Sequence, residues 1–243
     1  MPNNTPDYGL TATELFRFAA MCLDRLAAQG IQVSQSPGDQ GILHQADKLG
    51  KPYFTKQLNP NFNDFTHANS FWLTATHQAS PGDEPTVIGM AGARADRLTK
   101  GEFIPAFEQQ MRRLYGPDRD SVLASALYPP PFHEMQGTVA YLGDLYFSKG
   151  FRGRDNINIR AFVLFLYAIA ATEWSFDWLY LFVNERHASD GHLSKYLLAG
   201  AHSAPILWDN GPKERNDTDC LGTLRKVDFA YIVRRSLDRP DIF

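Results

Sequence analysis

The chain has 243 residues, of which 44% are hydrophobic and 13% aromatic, and its formal net charge at pH 7 is −3. This length favours one large domain or two small ones, with ample apolar material for a core. The small negative charge gives no basis for nucleic-acid binding. The cysteines, Cys22 and Cys220, are widely separated and indicate neither a disulfide framework nor a metal site.

The N-terminal segment and the most apolar run bear on localisation. Residues 1–7 lack the basic and apolar regions of a signal peptide. The apolar run 161–171 is shorter than the roughly 20 residues of a membrane-spanning helix, and Glu173 and Asp177 follow it. We therefore expect a soluble, cytoplasmic protein that binds neither membrane nor nucleic acid.

The chain opens with a helix signal. Thr11 and Glu14 have the spacing of a capping box, and apolar residues then recur at helical spacing until Gly30. A brief strand is expected at residues 31–33. The turn-rich residues 34–67 are interpreted as a connector.

A hairpin and two helices are predicted next. The β-forming runs 70–76 and 86–94 flank a turn and predict two paired strands. The amphipathic residues 102–115 predict a helix, and a shorter helix is expected at 120–127.

The stretch 138–184 predicts a parallel βαβ unit. Its first strand is the alternating run 138–147, which a polar, glycine-bearing loop at 148–156 follows. An apolar helix at 157–172 and a second strand at 177–184 complete the unit. The loop lies where a helix N-terminus can hold a phosphate.

The C-terminal part predicts one more helix and two strands. The helix is expected at 189–200 and the strands at 204–208 and 227–233, with a charged, flexible loop at 213–219. The element order as a whole is typical of a mixed α/β sheet.

Two segments resemble the GNAT superfamily of N-acetyltransferases. They are Leu142-Gly-Asp-Leu-Tyr-Phe147 with the following Gly150-Phe-Arg-Gly-Arg154, and Tyr196-Leu-Leu-Ala-Gly200, which is similar to the family's Tyr-x-x-x-Gly segment. The resemblance orders residues 70–235 and implies a mostly antiparallel twisted sheet with a central parallel βαβ unit and flanking helices. It implies a single domain over the whole chain, with an N-terminal helical addition at about residues 1–69.

In the family, the first segment leads into a loop that wraps the pyrophosphate of acyl-coenzyme A. The family loop reads Gln/Arg-x-x-Gly-x-Gly/Ala, whereas Asp155 and Ile157 stand at its small-residue positions here. Small residues let the backbone approach phosphates, and a carboxylate repels them unless Arg152 and Arg154 neutralise it. Alternatively, these arginines are solvated charges and Asp155 or Asn156 caps a helix.

The resemblance implies a cofactor site at the end of the strand and in the loop. The strand end would pair with the pantetheine arm through backbone groups, and the loop would hold the pyrophosphate. The residues so implied are Leu145, Tyr146, Phe147, Phe151, Arg152, Gly153, Arg154, Asp155, Asn156 and Ile157.

Asp144 is a candidate general base, because it lies mid-strand among apolar neighbours and burial in a cleft would suit it to that role. The alternative is a solvent-facing residue on the polar side of the strand. His133 and Glu134, just before the strand, are rival bases.

Tyr196 matches the tyrosine that in many family members protonates the departing thiolate. Alternatively, it is a core tyrosine at helical spacing with Leu193 and Leu197. His187 and His192 flank Asp190, but no further ligand stands at matching spacing, so we predict no metal.

The function that the resemblance implies is acyl-CoA-dependent N-acetyl transfer. The acetyl group of acetyl-CoA, or the acyl group of another acyl-CoA, would pass by direct attack to an unidentified amine of a small molecule or peptide. Two other classes stay open. One is a non-catalytic acyl-CoA-binding or regulatory protein, and the other is a fold relic that serves protein–protein contact, for which a homodimer is one form.

Overall fold

The computed structural model of the chain describes residues 9–38, 41–80, 82–119, 122–123, 127–152, 159–209, 211–212 and 215–242. The helices are α1 (Ala12–Ala27), α2 (Gly41–Lys48), α3 (Phe103–Arg119), α4 (Pro130–Glu134), α5 (Ile159–Trp174), α6 (Glu185–Ser189), α7 (His192–Lys195) and α8 (Lys226–Asp238). The strands are β1 (Ile31–Pro37), β2 (Ser70–His77), β3 (Thr86–Leu98), β4 (Val122–Leu123), β5 (Gly137–Phe147), β6 (Trp178–Val183), β7 (Gly200–Ser203), β8 (Trp208–Asp209) and β9 (Cys220–Arg225).

Seven strands form one sheet in the order β1-β2-β3-β5-β6-β9-β7, and β4 pairs with β8 outside it. Within the large sheet, β5 and β6 pair in parallel through the α5 crossover, and the other neighbours pair antiparallel. The predicted mixed, mostly antiparallel sheet with a central parallel βαβ unit is therefore confirmed.

Two hydrophobic clusters cover the two faces of this sheet. On one face, which we call the α5 face, α1, α5 and α8 pack against side chains such as Leu73, Ala140 and Leu179. On the other, which we call the α3 face, α2, α3 and α4 pack against side chains such as Trp72 and Tyr180. The alternation of side chains along each strand produces these two separate cores.

The α5 helix is apolar nearly all round because it is covered on several sides. Its residues from Ala161 to Ala168 are all buried, as expected of a helix that the sheet and α1 enclose. No helix in the described ranges is both long enough and apolar enough to cross a membrane.

The predicted start of α1 is confirmed in atomic detail. The Glu14 backbone N–H donates to Thr11 Oγ1 at 3.1 Å, and the Thr11 backbone N–H donates to Glu14 Oε2 at 2.8 Å. Arg234 Nε of α8 donates to Glu14 Oε1 at 2.8 Å, so the cap also joins the two ends of the chain.

The first 70 residues contain more regular structure than predicted. The strand expected at 31–33 extends to Pro37 and pairs with β2 along its whole length. The predicted connector also contains α2, whose buried residues Ile42 and Ala46 are four positions apart. The prediction was wrong because α2 is only eight residues long and the turn residues on both sides of it dominate the local pattern.

The single helix predicted at 189–200 is wrong. Two short helices, α6 and α7, stand there, and β7 begins at Gly200. Gly191 and Leu197 have φ angles of 76° and 56°, and such left-handed residues interrupt a helix.

The strand predicted at 227–233 is wrong as well, because this segment lies in α8. Val227, Phe229, Tyr231 and Val233 alternate with other residues, which mimics the period of a strand. Burial follows the helical period instead, since Phe229 and Val233 are buried whereas Tyr231 is 68% exposed.

Two shorter predictions also fail. Of the strand expected at 204–208, only Trp208 is extended, as the first residue of β8. Of the helix expected at 120–127, Val122 and Leu123 form β4 and pair with Asp209 and Trp208, and Leu127 is not helical. A long-range pairing of this kind leaves no local signal in the sequence.

Candidate active site

The two central strands separate before they end. The parallel ladder of β5 and β6 runs from Val139 opposite Trp178 to Leu142 opposite Leu181 and then stops. Yet β5 continues to Phe147 and β6 to Val183. We call the gap between residues 143–147 and 182–183 the β5–β6 notch. Peptide groups of β5 that face the notch have no strand partner among the described residues, so they can pair with an extended ligand.

A β-bulge bends β5 at the same point. Gly92 of β3 pairs with Gly143 and Met90 pairs with Tyr146, so Ala91 alone faces two residues, Asp144 and Leu145. Asp144 has a φ angle of 56°. A left-handed backbone costs a non-glycine residue roughly 1–2 kcal/mol, and aspartate is among the few that adopt it. Bulges of this kind commonly lie beside active sites, where they redirect a strand.

The Asp144 side chain is fully buried and turns to the α3 face. Its Oδ1 atom is 2.5 Å from Lys51 Nζ and 3.2 Å from the Thr55 backbone nitrogen. Thr55 Oγ1 donates to Oδ2 at 2.6 Å. The solvent-facing alternative is therefore wrong, since the Asp144 and Lys51 side chains are 0% and 5% exposed.

These contacts bear on the predicted base role of Asp144. Both carboxylate oxygens already accept hydrogen bonds from Lys51 and Thr55, so an incoming amine finds no unoccupied oxygen. The contacts instead fix residues 51–55 over the bulge. The base role stays a prediction, and the geometry favours a positioning role.

His133 and Glu134 lie far from the notch. Both are exposed on α4, ahead of the first residue of β5. At about 3.3 Å per residue, the seven residues from Gly137 to Asp144 span roughly 23 Å. The structure does not bring these two side chains to the bulge.

Tyr196 lies on the α5 face, at the end of α7. Its hydroxyl is 3.3 Å from His192 Nδ1, and its carbonyl accepts a hydrogen bond from the Tyr167 hydroxyl at 3.1 Å. Burial raises the pKa of Tyr196 to about 12, so the hydroxyl keeps its proton at neutral pH. Asp144 and Tyr196 thus lie on opposite faces of the sheet.

The predicted cofactor residues at the end of β5 hold one another in place. The Arg152 guanidinium lies 4.3 Å from the centre of the Tyr146 ring, and its Nε donates to the Phe147 carbonyl. Phe147 is buried with its ring 5.2 Å from that of Phe162. The Phe151 ring is 5.1 Å from that of His77. Leu145 packs at the edge of the α5-face core.

The structure describes the predicted pyrophosphate loop only as far as Arg152. Gly153, Arg154, Asp155, Asn156 and Ile157 lie outside the described residues. The α5 helix spans Ile159–Trp174, which confirms the apolar helix predicted after this segment.

A second polar group on the α3 face was missed by the sequence prediction. Arg215 Nη2 donates to Gln57 Oε1 and to the Tyr141 hydroxyl, the latter at 3.1 Å. Arg215 Nη1 is 3.8 Å from Asp219 Oδ2, and the guanidinium lies 5.0 Å from the Phe182 ring centre. Because Phe182 borders the notch, this group lies beside it.

Gln57, Phe182, Arg215 and Asp219 are among the residues that line a cavity of about 10 Å³, which we call the Arg215 pocket. Its polar lining is Gln57, Arg215, Asn216 and Asp219. Burial raises the pKa of the Asp219 carboxyl, and the Arg215 guanidinium offsets part of that rise.

The Arg215 pocket and Asp144 share a neighbour in Tyr53. Burial raises the pKa of the Tyr53 hydroxyl, and the negative charges of Asp144 and Asp219 raise it further. The two polar groups are therefore close enough to act on the same side chain.

The group His187, Asp190 and His192 has its ligand atoms within 4.8 Å of one another, and the two histidine rings stack. Zinc bonds of 2.0–2.1 Å in a tetrahedron place ligand atoms only about 3.3 Å apart. The group would have to contract to bind zinc, and the absence of a metal stays a prediction.

Sequence reasoning missed Lys51, Thr55, Gln57, Arg215 and Asp219 for a common reason. Apart from Asp219, each acts through a partner far along the chain, such as Lys51 with Asp144, which is 93 positions away. The only local signal is the spacing of four between Arg215 and Asp219, just before an apolar run.

No protein-family model matches this chain, and no curated protein matches it significantly. Solved structures similar to it include NAA60 of Arabidopsis thaliana in complex with acetyl-CoA, at 13% identity and a TM-score of 0.46, over 80% of this chain and 98% of that one. A GNAT-family acetyltransferase from Streptococcus pneumoniae is similar at 10% identity and a TM-score of 0.39, over 80% and 99%. FeeM, an N-acyl amino acid synthase from uncultured soil microbes, is similar at 13% identity and a TM-score of 0.34, over 91% and 90%.

The family that the sequence resembles is thus also found among similar solved structures. At these identities and TM-scores, no residue role or ligand position is taken from them.

Proposed function

We propose that this protein transfers an acyl group from an acyl-coenzyme A, acetyl-CoA in the simplest case, to the nitrogen of an amine. The observation that carries the proposal is the β5–β6 notch, where β5 continues for five residues after its ladder with β6 has ended. The pantetheine arm of coenzyme A is an extended chain with two amide groups. Such a chain can add to β5 as a short strand would.

The predicted pyrophosphate loop supports the proposal through its position. It joins the notch-forming strand to the N-terminus of α5, where backbone N–H groups and the helix dipole favour an anion. Arg152 is held at the start of this loop by Tyr146 and Phe147. We propose that the contacts come from Leu145, Tyr146 and Phe147 of β5 and from the loop residues 151–157.

The reaction needs a nucleophile, a proton acceptor and a proton donor. The neutral amine attacks the thioester carbonyl carbon, a C–N bond forms, and the C–S bond then breaks. The amine gives its proton to a carboxylate on the α3 face, where Asp144 and Asp219 both lie. The departing thiolate takes the proton of Tyr196, whose hydroxyl is protonated at neutral pH.

Calorimetric titration with acetyl-CoA tests the donor half of this proposal. We expect micromolar binding to the natural chain, and at least about tenfold weaker binding to the Arg152→Ala/Arg154→Ala double variant, because charged donors contribute most to phosphate binding. Lys149→Ala is the control, since it removes one nearby positive charge from an exposed position.

Absence of binding at millimolar acetyl-CoA would overturn the transferase proposal. Binding without acyl transfer to any amine in a broad acceptor screen would support the non-catalytic alternative instead. Equal loss of affinity in Lys149→Ala and in the double variant would contradict the proposed position of the pyrophosphate.

A further inference from the structure

We propose, resting on the transferase function above, that the acceptor is an α-amino acid with an apolar side chain. Its carboxylate binds Arg215 and Gln57, and its amine binds Asp219. The Arg215 pocket joins a buried cation and a buried anion, and a zwitterion complements both.

The carboxylate end follows from an unused donor beside a cation. Arg215 Nη2 donates to Gln57 and Tyr141, and its Nη1 forms an ion pair with Asp219 Oδ2 at 3.8 Å. Gln57 is fully buried, and its Nε2 atom is without a partner in the described ranges. An unsatisfied buried donor is unfavourable, and a ligand carboxylate would satisfy it.

The orientation of the Gln57 amide is set by its neighbour. Its oxygen accepts from Arg215, and a flipped amide would place N–H groups against the guanidinium donors. Nε2 is therefore the atom of this amide that stays available to a ligand.

The amine end follows from Asp219. This residue lines the same cavity, and its distance of 3.8 Å from Arg215 exceeds a hydrogen bond. Burial raises the pKa of its carboxyl. The bound ammonium first loses one proton to solvent, and Asp219 then takes the second proton, which the neutral amine releases as it attacks the thioester. Asp219 thereby supplies the proton acceptor that the occupied oxygens of Asp144 do not offer.

The remaining walls select the side chain of the acceptor. They are apolar and include Phe107, Met111, Phe182 and Trp208. Phe182 also borders the β5–β6 notch. An amine bound in the Arg215 pocket would therefore approach a thioester in the notch from the α3 face.

Binding requires the pocket to open. A cavity of about 10 Å³ holds roughly one water molecule, so an amino acid enters only when residues 205–209 and 215–219 move outward. Trp208 lies in this segment, where its backbone N–H donates to Asp217 Oδ1 at 2.8 Å. Its indole fluorescence should change when the pocket fills.

Three matched ligands separate the contributions of the carboxylate contact and the amine contact to binding. They are L-phenylalanine, phenethylamine, which lacks the carboxylate, and 3-phenylpropanoate, which lacks the amine. Binding to the full chain is measured by Trp208 fluorescence and thermal shift, with and without saturating coenzyme A, and Trp208→Phe identifies the signal. We expect L-phenylalanine to bind at least about tenfold more tightly than either partial ligand, because each loses one charged contact.

Asp219→Asn should weaken the binding of L-phenylalanine by at least about tenfold and leave the affinity for 3-phenylpropanoate unchanged, since only the amine contact is lost. Asp209→Asn makes the same charge change at an exposed position of the same segment and should alter neither affinity. If Asp219→Asn does not fold, the affinities of the natural chain for the three ligands still test whether the pocket binds an amino acid.

The outcomes separate this inference from the transferase proposal. If acetyl-CoA binds but the three ligands bind equally or not at all, the amino-acid inference is overturned and the transferase stands. If L-phenylalanine binds selectively but acetyl-CoA does not, the pocket assignment stands and the transferase proposal fails.

Discussion

The two faces of the sheet are built from different chemistry. The buried side chains of the α5 face are hydrocarbon apart from Cys22, the hydroxyl of Tyr167 and Ser236 of α8. The α3 face instead buries the Lys51–Asp144 ion pair, Gln57 and the Arg215–Asp219 pair beside its aromatic core. Buried charges contribute little to net stability, so we expect the α5 face to contribute most of the stability, and we propose that the α3 face binds the acceptor.

The largest expected effect is on the stability contributed by the α5 face. Phe162→Ala removes a fully buried ring that packs against Phe147 and should lower the free energy of unfolding by roughly 3–5 kcal/mol. Phe16→Ala is the matched control, because Phe16 is 74% exposed. Urea unfolding measures both. Equal effects from the two variants would contradict the assignment of the core.

A double-mutant cycle measures the interaction energy of Lys51 and Asp144, the buried ion pair of the α3 face. Lys51→Met leaves the Asp144 carboxylate buried without its cation and should destabilise the chain by about 3 kcal/mol. Adding Asp144→Asn should restore at least about 1 kcal/mol, since no buried charge is then left. Additive losses in urea unfolding would show that the two side chains do not interact.

Tyr196 is an exception to this difference between the two faces, because it is a proposed catalytic group on the α5 face. Tyr196→Phe should lower kcat by roughly tenfold to a hundredfold with little change in KM, if the hydroxyl protonates the thiolate. Tyr167→Phe is the control, since its hydroxyl bonds only to the Tyr196 backbone carbonyl among the described residues. An unchanged kcat in Tyr196→Phe would leave Tyr196 a packing residue.

The smallest effect is expected at the cap of α1. Hydrogen bonds from Arg234 and Thr11 lower the pKa of Glu14 from 4.5 to about 2. Because the folded-state pKa is the lower one, this stabilisation is present above pH 4.5 and is lost as the pH falls to about 2. Glu14→Gln should therefore cost less than about 1 kcal/mol at pH 7, as exposed pairs do, and nothing near pH 2. A difference between the unfolding curves that persists at pH 2 would contradict the assignment.

The sequence predicted the elements whose signals are local. The capping box at Thr11, the alternating strand 138–147 and the apolar helix after it all carry their period within a few residues. The helix α8 was missed because Val227 to Val233 satisfies the strand period as well, and only burial against the core decides between the two.

The candidate site was predictable only along β5. Asp144 was chosen from its apolar neighbours, but Lys51 and Thr55, which occupy its oxygens, lie about ninety positions away. Arg215 and Asp219 were interpreted as part of a charged, flexible loop, since no local pattern shows that Arg215 reaches Gln57, 158 positions away. Contacts of this kind are determined by the fold as a whole.

The central claim is that the notch between β5 and β6 receives the donor, and hydrogen exchange of the β5 amides tests it most directly. The account predicts that saturating acetyl-CoA slows exchange in residues 143–147, while residues 139–142, which already pair with β6, change little. Unchanged exchange in residues 143–147 with acetyl-CoA bound would contradict it and place the donor elsewhere.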